Sequence, residues 1–130
     1  MNDDDEWPPL IAAAKLASEH AYCPYSRFAV GAAVRAADGR VFAGCNVENA
    51  SFGLTICAER NAIFQAVAAG VRNIVAVAVY TPTPAVTTPC GACRQVMAEF
   101  AQGALVRCAC AGSGHATFTA AALLPQGFAL

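Results

Sequence analysis

Apolar residues recur along this chain with two different periods, one typical of helices and the other of strands. They recur at intervals of three and four over residues 10–21, directly after a Pro8-Pro9 pair that fits the start of a helix. Residues 28–34 and 41–47 are short apolar runs joined through the turn-forming pair Asp38-Gly39. This part of the chain therefore predicts a helix followed by a β-hairpin.

Predicted helices and strands continue to alternate along the rest of the chain. Helices are predicted over residues 55–70 and 88–102, each capped by its first residue, a threonine, with Pro89 as the first helical residue of the second. Residues 73–81 and 105–111 are apolar runs typical of strands buried in a sheet. The residues that follow are interpreted as a glycine-rich connection and a short closing segment.

Strands separated by helices indicate an α/β domain in which some of the strand pairs are parallel. The length of 130 residues fits one domain, which we expect to span residues 1–130. Its first residues, about 1–6, are rich in acidic side chains and are expected to be disordered. The sequence thus predicts a single domain without a linker or an internal repeat.

Charged residues are unusually scarce. They make up 13% of the chain, about half of the roughly 25% that is usual in soluble domains, whereas hydrophobic residues make up 57%. So few charges cannot readily cover the surface of a monomer. We therefore expect an apolar surface to be buried in a closed, symmetric homo-oligomer, the alternative being an alanine-rich monomer.

The charge balance argues against two classes of partner. The net charge is −1, the pI is about 6.0, and the sequence has no cluster of Lys and Arg with which to neutralise a nucleic-acid backbone. Residues 2–6 are acidic where a secretory signal would be basic, and no apolar run approaches the length of a membrane span. We therefore expect a cytoplasmic protein that binds neither nucleic-acid polymers nor membranes.

Two short motifs supply three thiols and a carboxylate. One is Cys57-Ala58-Glu59, and the other is Pro89-Cys90-Gly91-Ala92-Cys93. A Cys-x-x-Cys alone also fits a redox dithiol, but Cys-x-Glu followed by Pro-Cys-x-x-Cys is the arrangement of zinc deaminases. Three ligands leave the fourth position of a tetrahedral zinc ion open for water. The pair therefore predicts a catalytic zinc site with Glu59 as the group that carries protons.

The spacing of these residues constrains how their helices meet the metal. Residues two apart, such as Cys57 and Glu59, point away from each other on the wall of a helix, so both reach one ion only if the helix approaches end-on. Cys90 and Cys93 fit the first turn of a second helix in the same way. We expect two positive helix ends to converge on the thiolates. The adjacent Arg60 and Arg94 are expected to donate to the sulfurs and to offset their excess charge.

The remaining cysteines and histidines favour no further site. Seven cysteines are an odd number, which argues against a disulfide framework. Four of them are interpreted as small packing residues: Cys23, Cys45, Cys108 and Cys110. A second metal site from Cys108 and Cys110 is a minor alternative. A non-enzymatic zinc module would need a fourth protein ligand, and neither His20, on an early helix, nor His115, in a glycine-rich loop, is in a credible ligand context.

Five stretches of the chain resemble the small homotetrameric cytidine deaminases, and the likeness extends from about Pro8 to Phe128. They are residues 23–33 (CPYSRFAVGAA), residues 44–51 (GCNVENAS), the two zinc motifs and residues 123–128 (LLPQGF). The resemblance implies a three-layer α/β/α domain around a five-stranded mixed sheet, one Zn²⁺ per subunit and a homotetramer with shared active sites. It also implies the hydrolytic deamination of cytidine and 2'-deoxycytidine in pyrimidine salvage.

The resemblance also implies roles for individual residues. It implies three zinc ligands: Cys57, Cys90 and Cys93. Glu59 matches the proton shuttle, and Asn46 and Glu48 match a pair that holds the ribose 3'-hydroxyl. Phe28 matches an aromatic residue of the base pocket, and Phe128 matches one that a neighbouring subunit places over the pyrimidine.

One position departs from the family pattern. Phe52 stands where the family commonly has a tyrosine, so a hydroxyl is missing at the part of the site that includes the subunit interface. The backbone near Ala58 and Cys90 is expected to bind the base or the reacting oxygen. A deaminase of another small cytosine compound, such as a nucleoside antibiotic, would share the zinc motifs, but it should lack the Asn46 and Glu48 pattern.

Overall fold

A five-stranded mixed sheet forms the middle of the molecule in the computed structural model, which describes residues 4–130. The strands are β1 (Gly31–Ala36), β2 (Val41–Cys45), β3 (Ile74–Thr81), β4 (Leu105–Cys110) and β5 (His115–Thr119). Their order in the sheet is β2-β1-β3-β4-β5. The β3 and β4 strands are parallel, and the other neighbouring pairs are antiparallel. The central strand β3 is buried along almost its whole length, as its continuous apolar run predicts.

Helices cover both faces of the sheet. Helix α1 (Trp7–Ser18) packs on one face, and α2 (Ala58–Ala68) and α3 (Gly91–Phe100) cover the other. Because side chains alternate along a strand, Val34 points into the larger core under α2 and α3, whereas Ala33 points into the alanine-rich core under α1. The expected three-layer α/β/α arrangement with a mixed sheet is confirmed.

Two glycines allow helices to lie directly on the hairpin. A Cβ at Gly31 would lie 1.8 Å from the carbonyl oxygen of Ala14 in α1. A Cβ at Gly44 would lie 2.6 Å from the backbone nitrogen of Ala62 and 3.0 Å from the carbonyl oxygen of Ala58. Any larger residue at Gly44 would therefore push the first turns of α2 away from β2. This close contact sets the position of the N-terminus of α2.

The ends of the N-terminal elements differ from the sequence prediction. Helix α1 spans Trp7–Ser18. It begins earlier than predicted because Trp7, only 2% exposed, packs into the core at the first helical position, and both prolines follow in the first turn. A 3₁₀ turn over Asp4–Glu6 precedes it, in a segment for which disorder was expected; residues 1–3 lie outside the described residues. The first strand begins at Gly31, three residues later than the pattern predicts.

The strand β5 was missed by the pattern. His115 lies at its start, and not in a loop as the sequence suggested. The strand lies at the edge of the sheet, and only Ala116 and Phe118 are partly buried, so its apolar signal is weak beside Gly112 and Gly114. Pairing with β4, a contact that local sequence does not reveal, holds it in place. Among residues 4–130, no helix combines the length and the apolar character that crossing a membrane would require.

Candidate active site

The N-termini of α2 and α3 meet at one point, and a cysteine stands at each. Cys57 and Cys90 are the N-cap residues, both with extended backbone, at φ −70°, ψ 157° and φ −70°, ψ 169° respectively. The predicted threonine caps are therefore wrong. Thr55 ends a 3₁₀ turn over Phe52–Leu54, and the Thr88 hydroxyl accepts a hydrogen bond from Arg94. Because the helices begin at the cysteines, they approach the site end-on.

Three sulfur atoms form a triangle between the two helix ends. The Sγ atoms of Cys57 and Cys90 are 3.7 Å apart, and those of Cys90 and Cys93 are 3.6 Å apart. All three lie within 4.8 Å of one another. A tetrahedral zinc ion with Zn–S bonds of about 2.3 Å separates its sulfur ligands by about 3.8 Å. The three sulfurs therefore fit three ligand positions of a tetrahedral zinc ion. Cys93 is buried, and Cys90 is exposed to solvent.

The electrostatics of the triangle favour a bound cation. A hydrogen bond from the Cys93 thiol, helped by Arg60 and Cys90, lowers the pKa of Cys57 to about 5. The same contact with Cys57, together with burial, raises the pKa of Cys93 far above its ordinary value. Without a cation, the cluster thus favours one thiolate and opposes a second one beside it. Three thiolates in this space need a positive ion among them, and that is the environment that zinc supplies.

Glu59 is a buried carboxyl group beside the sulfurs. It is the second residue of α2 and is 4% exposed. Burial raises its pKa to about 7, and negative charge on Cys57 acts in the same direction, whereas a hydrogen bond from its own backbone N–H and the charge of Arg60 oppose the change. The carboxyl group therefore shares the electrostatic environment of the thiols and is shielded from bulk water.

The two arginines occupy different environments. The Nη2 atom of Arg60 donates to the Cys57 sulfur over 3.2 Å, as expected, and this contact raises the pKa of the guanidinium. Arg94 does not follow the expectation, because its guanidinium donates to oxygen atoms instead: the carbonyls of Pro89 at 2.7 Å and Leu123 at 3.0 Å, and the Thr88 hydroxyl at 3.3 Å. Carbonyl oxygens are stronger acceptors than sulfur. Arg94 therefore ties the start of α3 to the 3₁₀ turn over Ala121–Leu123.

Asn46 lies just after β2 and holds the backbone of the neighbouring segment. Its Oδ1 accepts a hydrogen bond from the Val30 N–H at 2.9 Å, and its Nδ2 donates to the Phe28 carbonyl at 2.8 Å. These two partners determine which end of the amide is oxygen, since one is a donor and the other an acceptor. One amide hydrogen and one oxygen lone pair remain for a ligand.

The Glu48 carboxylate is held by the loop that precedes β1. Its Oε1 accepts from the backbone N–H groups of Tyr25 at 2.9 Å and Ser26 at 3.2 Å, and its Oε2 accepts from the Ser26 hydroxyl. The Ser26 hydroxyl is the largest cause of a pKa for Glu48 below the ordinary value, and the two backbone contacts add to it. Glu48 is therefore an ionised, anchored acceptor.

Aromatic rings stand exposed around this carboxylate. Tyr25 and Phe52 meet edge-on with their ring centroids 5.6 Å apart, and Phe52 is 72% exposed. A cavity of about 360 Å³ lies between these rings and Glu48. The cavity is open where Tyr25 and Phe52 face solvent. Phe28 is 38% exposed, and Phe128, 70% exposed, lines a separate cavity beside α3, where Gln95 donates a hydrogen bond to its carbonyl.

The other cysteines and the histidines lie apart from the sulfur triangle. Within residues 4–130 every cysteine is a free thiol, and the potential metal ligands found there are Cys57, Cys90 and Cys93. Cys108 and Cys110 are buried in β4, and burial raises the pKa of Cys108 to about 12. His20 and His115 are both exposed.

Ser26 is the site residue to which sequence reasoning assigned no role. It lies in the break between α1 and β1, two residues after Pro24. Serine in such a break often bonds to the backbone two residues further on, and the Phe28 N–H donates to its hydroxyl over 3.0 Å. That local tendency was visible in the sequence, but its contact with Glu48, 22 residues away, was not.

The fold and the site together define a zinc-dependent deaminase. The model of the cytidine and deoxycytidylate deaminase zinc-binding region matches residues 5–109, and the chain belongs to this family. A cytidine deaminase from Sporosarcina psychrophila is 54% identical over 96 residues, which are 74% of this chain and 71% of that protein. A probable cytidine deaminase from Dictyostelium discoideum is 40% identical over 129 residues, 97% of this chain and 86% of the relative.

Solved structures give the same result for the fold. The crystal structure of cytidine deaminase from Burkholderia pseudomallei matches with a TM-score of 0.88 and 50% identity, covering 93% of this chain and 98% of that one. The structure of cytidine deaminase from Mycobacterium tuberculosis matches with a TM-score of 0.84 and 41% identity, covering 96% and 98%. The predicted family, enzyme class and zinc cofactor are thereby confirmed.

Proposed function

We propose that this chain catalyses the hydrolytic deamination of cytidine and 2'-deoxycytidine to uridine and 2'-deoxyuridine, with release of ammonia. The sulfur triangle beside the buried Glu59 supports this function most directly, since sulfur separations of 3.6 and 3.7 Å fit a zinc ion with one open position. The named relatives are cytidine deaminases, which supports the same substrate class. Such an enzyme serves pyrimidine salvage in the cytoplasm.

In this proposal three residues hold one Zn²⁺ per subunit: Cys57, Cys90 and Cys93. The bound ion supplies the Lewis acidity that makes water a competent nucleophile at neutral pH. Arg60 donates to the Cys57 sulfur and withdraws negative charge from it. The helix ends of α2 and α3 add positive potential at the same place.

Glu59 moves the protons of the reaction. It takes a proton from the attacking water and delivers it to N3 of the cytosine, so that C4 becomes electrophilic while the C–O bond forms. It then takes the remaining hydroxyl proton and delivers it to the amino group. The C–N bond breaks, ammonia leaves, and oxygen stays on C4 while N3 keeps its hydrogen. Burial of Glu59 keeps bulk water from exchanging these protons.

Binding of the nucleoside uses the loop side of the site. Glu48 accepts a hydrogen bond from the ribose 3'-hydroxyl, and Asn46 uses its remaining amide hydrogen and lone pair on the same sugar. Phe28 lines the base pocket, and the backbone at Ala58, where helix N–H groups lack intrahelical partners, binds the base edge. The Glu48 and Asn46 pair is the feature that favours a nucleoside over free cytosine.

A homotetramer with shared sites completes the proposal. Exposed apolar side chains surround the sugar side, among them Val47, Phe52 and Leu54, and Phe128 extends an exposed ring. We infer that Phe128 of one subunit covers the pyrimidine bound by another. Sedimentation at micromolar concentration should give a species near four times 13.3 kDa. A single species of monomer mass would contradict the shared site.

The direct test follows ultraviolet absorbance and ammonia release with cytidine, 2'-deoxycytidine, cytidine monophosphate and cytosine in parallel. Turnover of the two nucleosides, with much slower reaction of cytosine, is the expected result. Glu59→Gln provides the control because it removes the proton carrier while keeping the size of the side chain. Absence of turnover with all four compounds in the zinc-loaded protein would refute the function.

A further inference from the structure

The Ser26 hydroxyl lies between two parts of the site that are proposed to bind the nucleoside. It accepts a hydrogen bond from the Phe28 N–H at 3.0 Å, so its own proton is left to donate to Oε2 of Glu48. The orientation of the hydroxyl is therefore determined on both sides. One side chain thus connects the sugar-binding carboxylate with the backbone of the residue that lines the base pocket.

This contact fixes the direction of the carboxylate. The backbone N–H groups of Tyr25 and Ser26 both bind Oε1, which anchors one oxygen atom but leaves the other free to pivot about it. The Ser26 hydroxyl binds the second oxygen, Oε2. With both oxygens held, the plane of the carboxylate is set before a ligand arrives, which reduces what must be ordered on binding.

The same contacts limit what Glu48 can accept. A carboxylate oxygen has about two lone-pair positions, and both positions of Oε1 are taken by N–H groups. Ser26 takes one position of Oε2, so one remains. Glu48 can then receive one sugar hydroxyl in a defined direction, and not two.

The backbone between Ser26 and Phe28 also depends on this hydroxyl. Arg27 has a φ of +57°, a left-handed conformation that is unfavourable for a residue with a side chain. Two hydrogen bonds hold it there: the Arg27 N–H donates to the Cys23 carbonyl at 2.8 Å, and the Phe28 N–H donates to Ser26. Loss of the hydroxyl would remove the carboxylate contact and leave the Cys23 contact to hold the turn.

We propose that Ser26 is a positioning residue for the nucleoside sugar: its hydroxyl holds the Glu48 carboxylate in the direction in which it accepts the sugar hydroxyl. The inference rests on the proposed function, because it assigns Ser26 a role in sugar recognition by the same site. Its effect should appear with ligands that carry a 3'-hydroxyl and be small with ligands that lack it. It should also depend on the presence of the Glu48 side chain.

The test compares zinc-loaded Ser26→Ala with the unmodified protein on cytidine and on 2',3'-dideoxycytidine. Loss of a hydrogen bond to a charged group should lower kcat/KM for cytidine about tenfold, mainly through KM. The loss on the dideoxynucleoside should stay below about twofold. Calorimetric titration with uridine should show the same weakening as an increase in Kd, independently of turnover.

Three further variants separate positioning from general damage. Ser26→Thr keeps the hydroxyl and should restore most of the cytidine activity. Ser113→Ala makes the same chemical change in the exposed turn between β4 and β5 and should leave KM unchanged. In a Glu48→Ala background, adding Ser26→Ala should cost less than about twofold, since the partner is already gone.

Equal losses of Ser26→Ala on both nucleosides, or an undiminished loss in the Glu48→Ala background, would overturn the inference. So would a Ser26→Thr variant as weak as Ser26→Ala. Normal cytidine kinetics in Ser26→Ala would refute the role of Ser26 while leaving the proposed function intact. If the unmodified protein turns over neither nucleoside, the proposed function itself fails.

Discussion

The sulfur triangle and the loop before β1, residues 19–30, are built in opposite ways. The thiols stand at the ends of two regular helices over a packed core, with Cys93 and Glu59 buried. The loop before β1 has little regular structure. Its backbone donates hydrogen bonds to the side chains of Asn46 and Glu48 and accepts one from the Asn46 amide. Its aromatic residues remain exposed. The sulfur triangle and Glu59 are thus packed against the core of this chain, while the loop has an open face.

The difference follows from what each half must do. Zinc binding needs three sulfurs within a few tenths of an ångström of the right separation, which rigid helix ends provide. Ligand recognition needs groups that a ligand can reach, and the exposed loop offers them. Substitutions in the triangle should therefore abolish the reaction, whereas those in the loop should change its substrate preference.

Cys90→Ala should have the largest effect. Removing one of three ligands should release the metal and abolish deamination, because two thiolates bind zinc far more weakly. Metal analysis and cytidine turnover measure both consequences. Cys23→Ala is the matched control, since Cys23 lies outside the triangle and should keep the metal. Full zinc occupancy in Cys90→Ala would show that Cys90 is not a ligand.

Glu59→Gln should separate catalysis from the metal site. The amide keeps the size of the side chain but cannot carry protons, so turnover should fall by about three orders of magnitude or more. Zinc content and thermal stability should stay close to those of the unmodified protein. Glu99→Gln makes the same change on the exposed face of α3 and should be fully active. Near-normal turnover in Glu59→Gln would reject its role.

Glu48→Ala should change the substrate preference more than the chemistry. Loss of the anchored acceptor should lower kcat/KM for cytidine by roughly a hundredfold, the upper range for a hydrogen bond to a charged group. The loss on free cytosine, which has no sugar, should be much smaller. Glu19→Ala, an exposed change at the end of α1, serves as the control. Equal losses on cytidine and cytosine would count against the sugar contact.

Glu48 should also produce the smallest effect, a pH dependence of stability. Its pKa in the folded protein lies below the ordinary value of 4.5, so its carboxylate stabilises the fold above pH 4.5. That contribution is lost as the pH falls through the lower folded value. The difference in Tm between the unmodified protein and Glu48→Gln should therefore be largest near pH 7 and shrink below pH 4.5. A difference that grows with acid would contradict the anchoring.

Local signals predicted most of the elements, and their failures have local causes. The central strand β3 was predicted well because a buried strand is apolar at every position. The edge strand β5 was missed because it buries only Ala116 and Phe118 in part. The threonine caps were wrong because both helices begin two residues later than predicted, with Cys57 and Cys90 as N-cap residues that form no side-chain cap bond.

In the candidate site too, features that depend on short spacings were predicted, and a contact between distant residues was not. The order and spacing of Cys57, Glu59, Cys90 and Cys93 predicted a zinc site, since the chemistry requires those residue types. Arg60 follows its sulfur partner by three positions, within the reach of one helical turn, and was also predicted. The predicted sulfur partner of Arg94 was wrong. One of the carbonyl groups that it binds belongs to Leu123, 29 residues further along the chain, and local sequence does not reveal that contact.

The chemistry of the site could be predicted from the sequence alone: three thiols, one carboxylate and the period of the elements that carry them. These properties belong to residue types and short spacings, so they can be read without a fold. The spacing of the four residues also predicted that the helices meet the metal end-on. The folded structure was needed to show that Gly44 lets α2 lie against β2 and that Ser26 reaches Glu48. Those contacts join residues distant in the chain, and their geometry depends on how the sheet and the loop pack together.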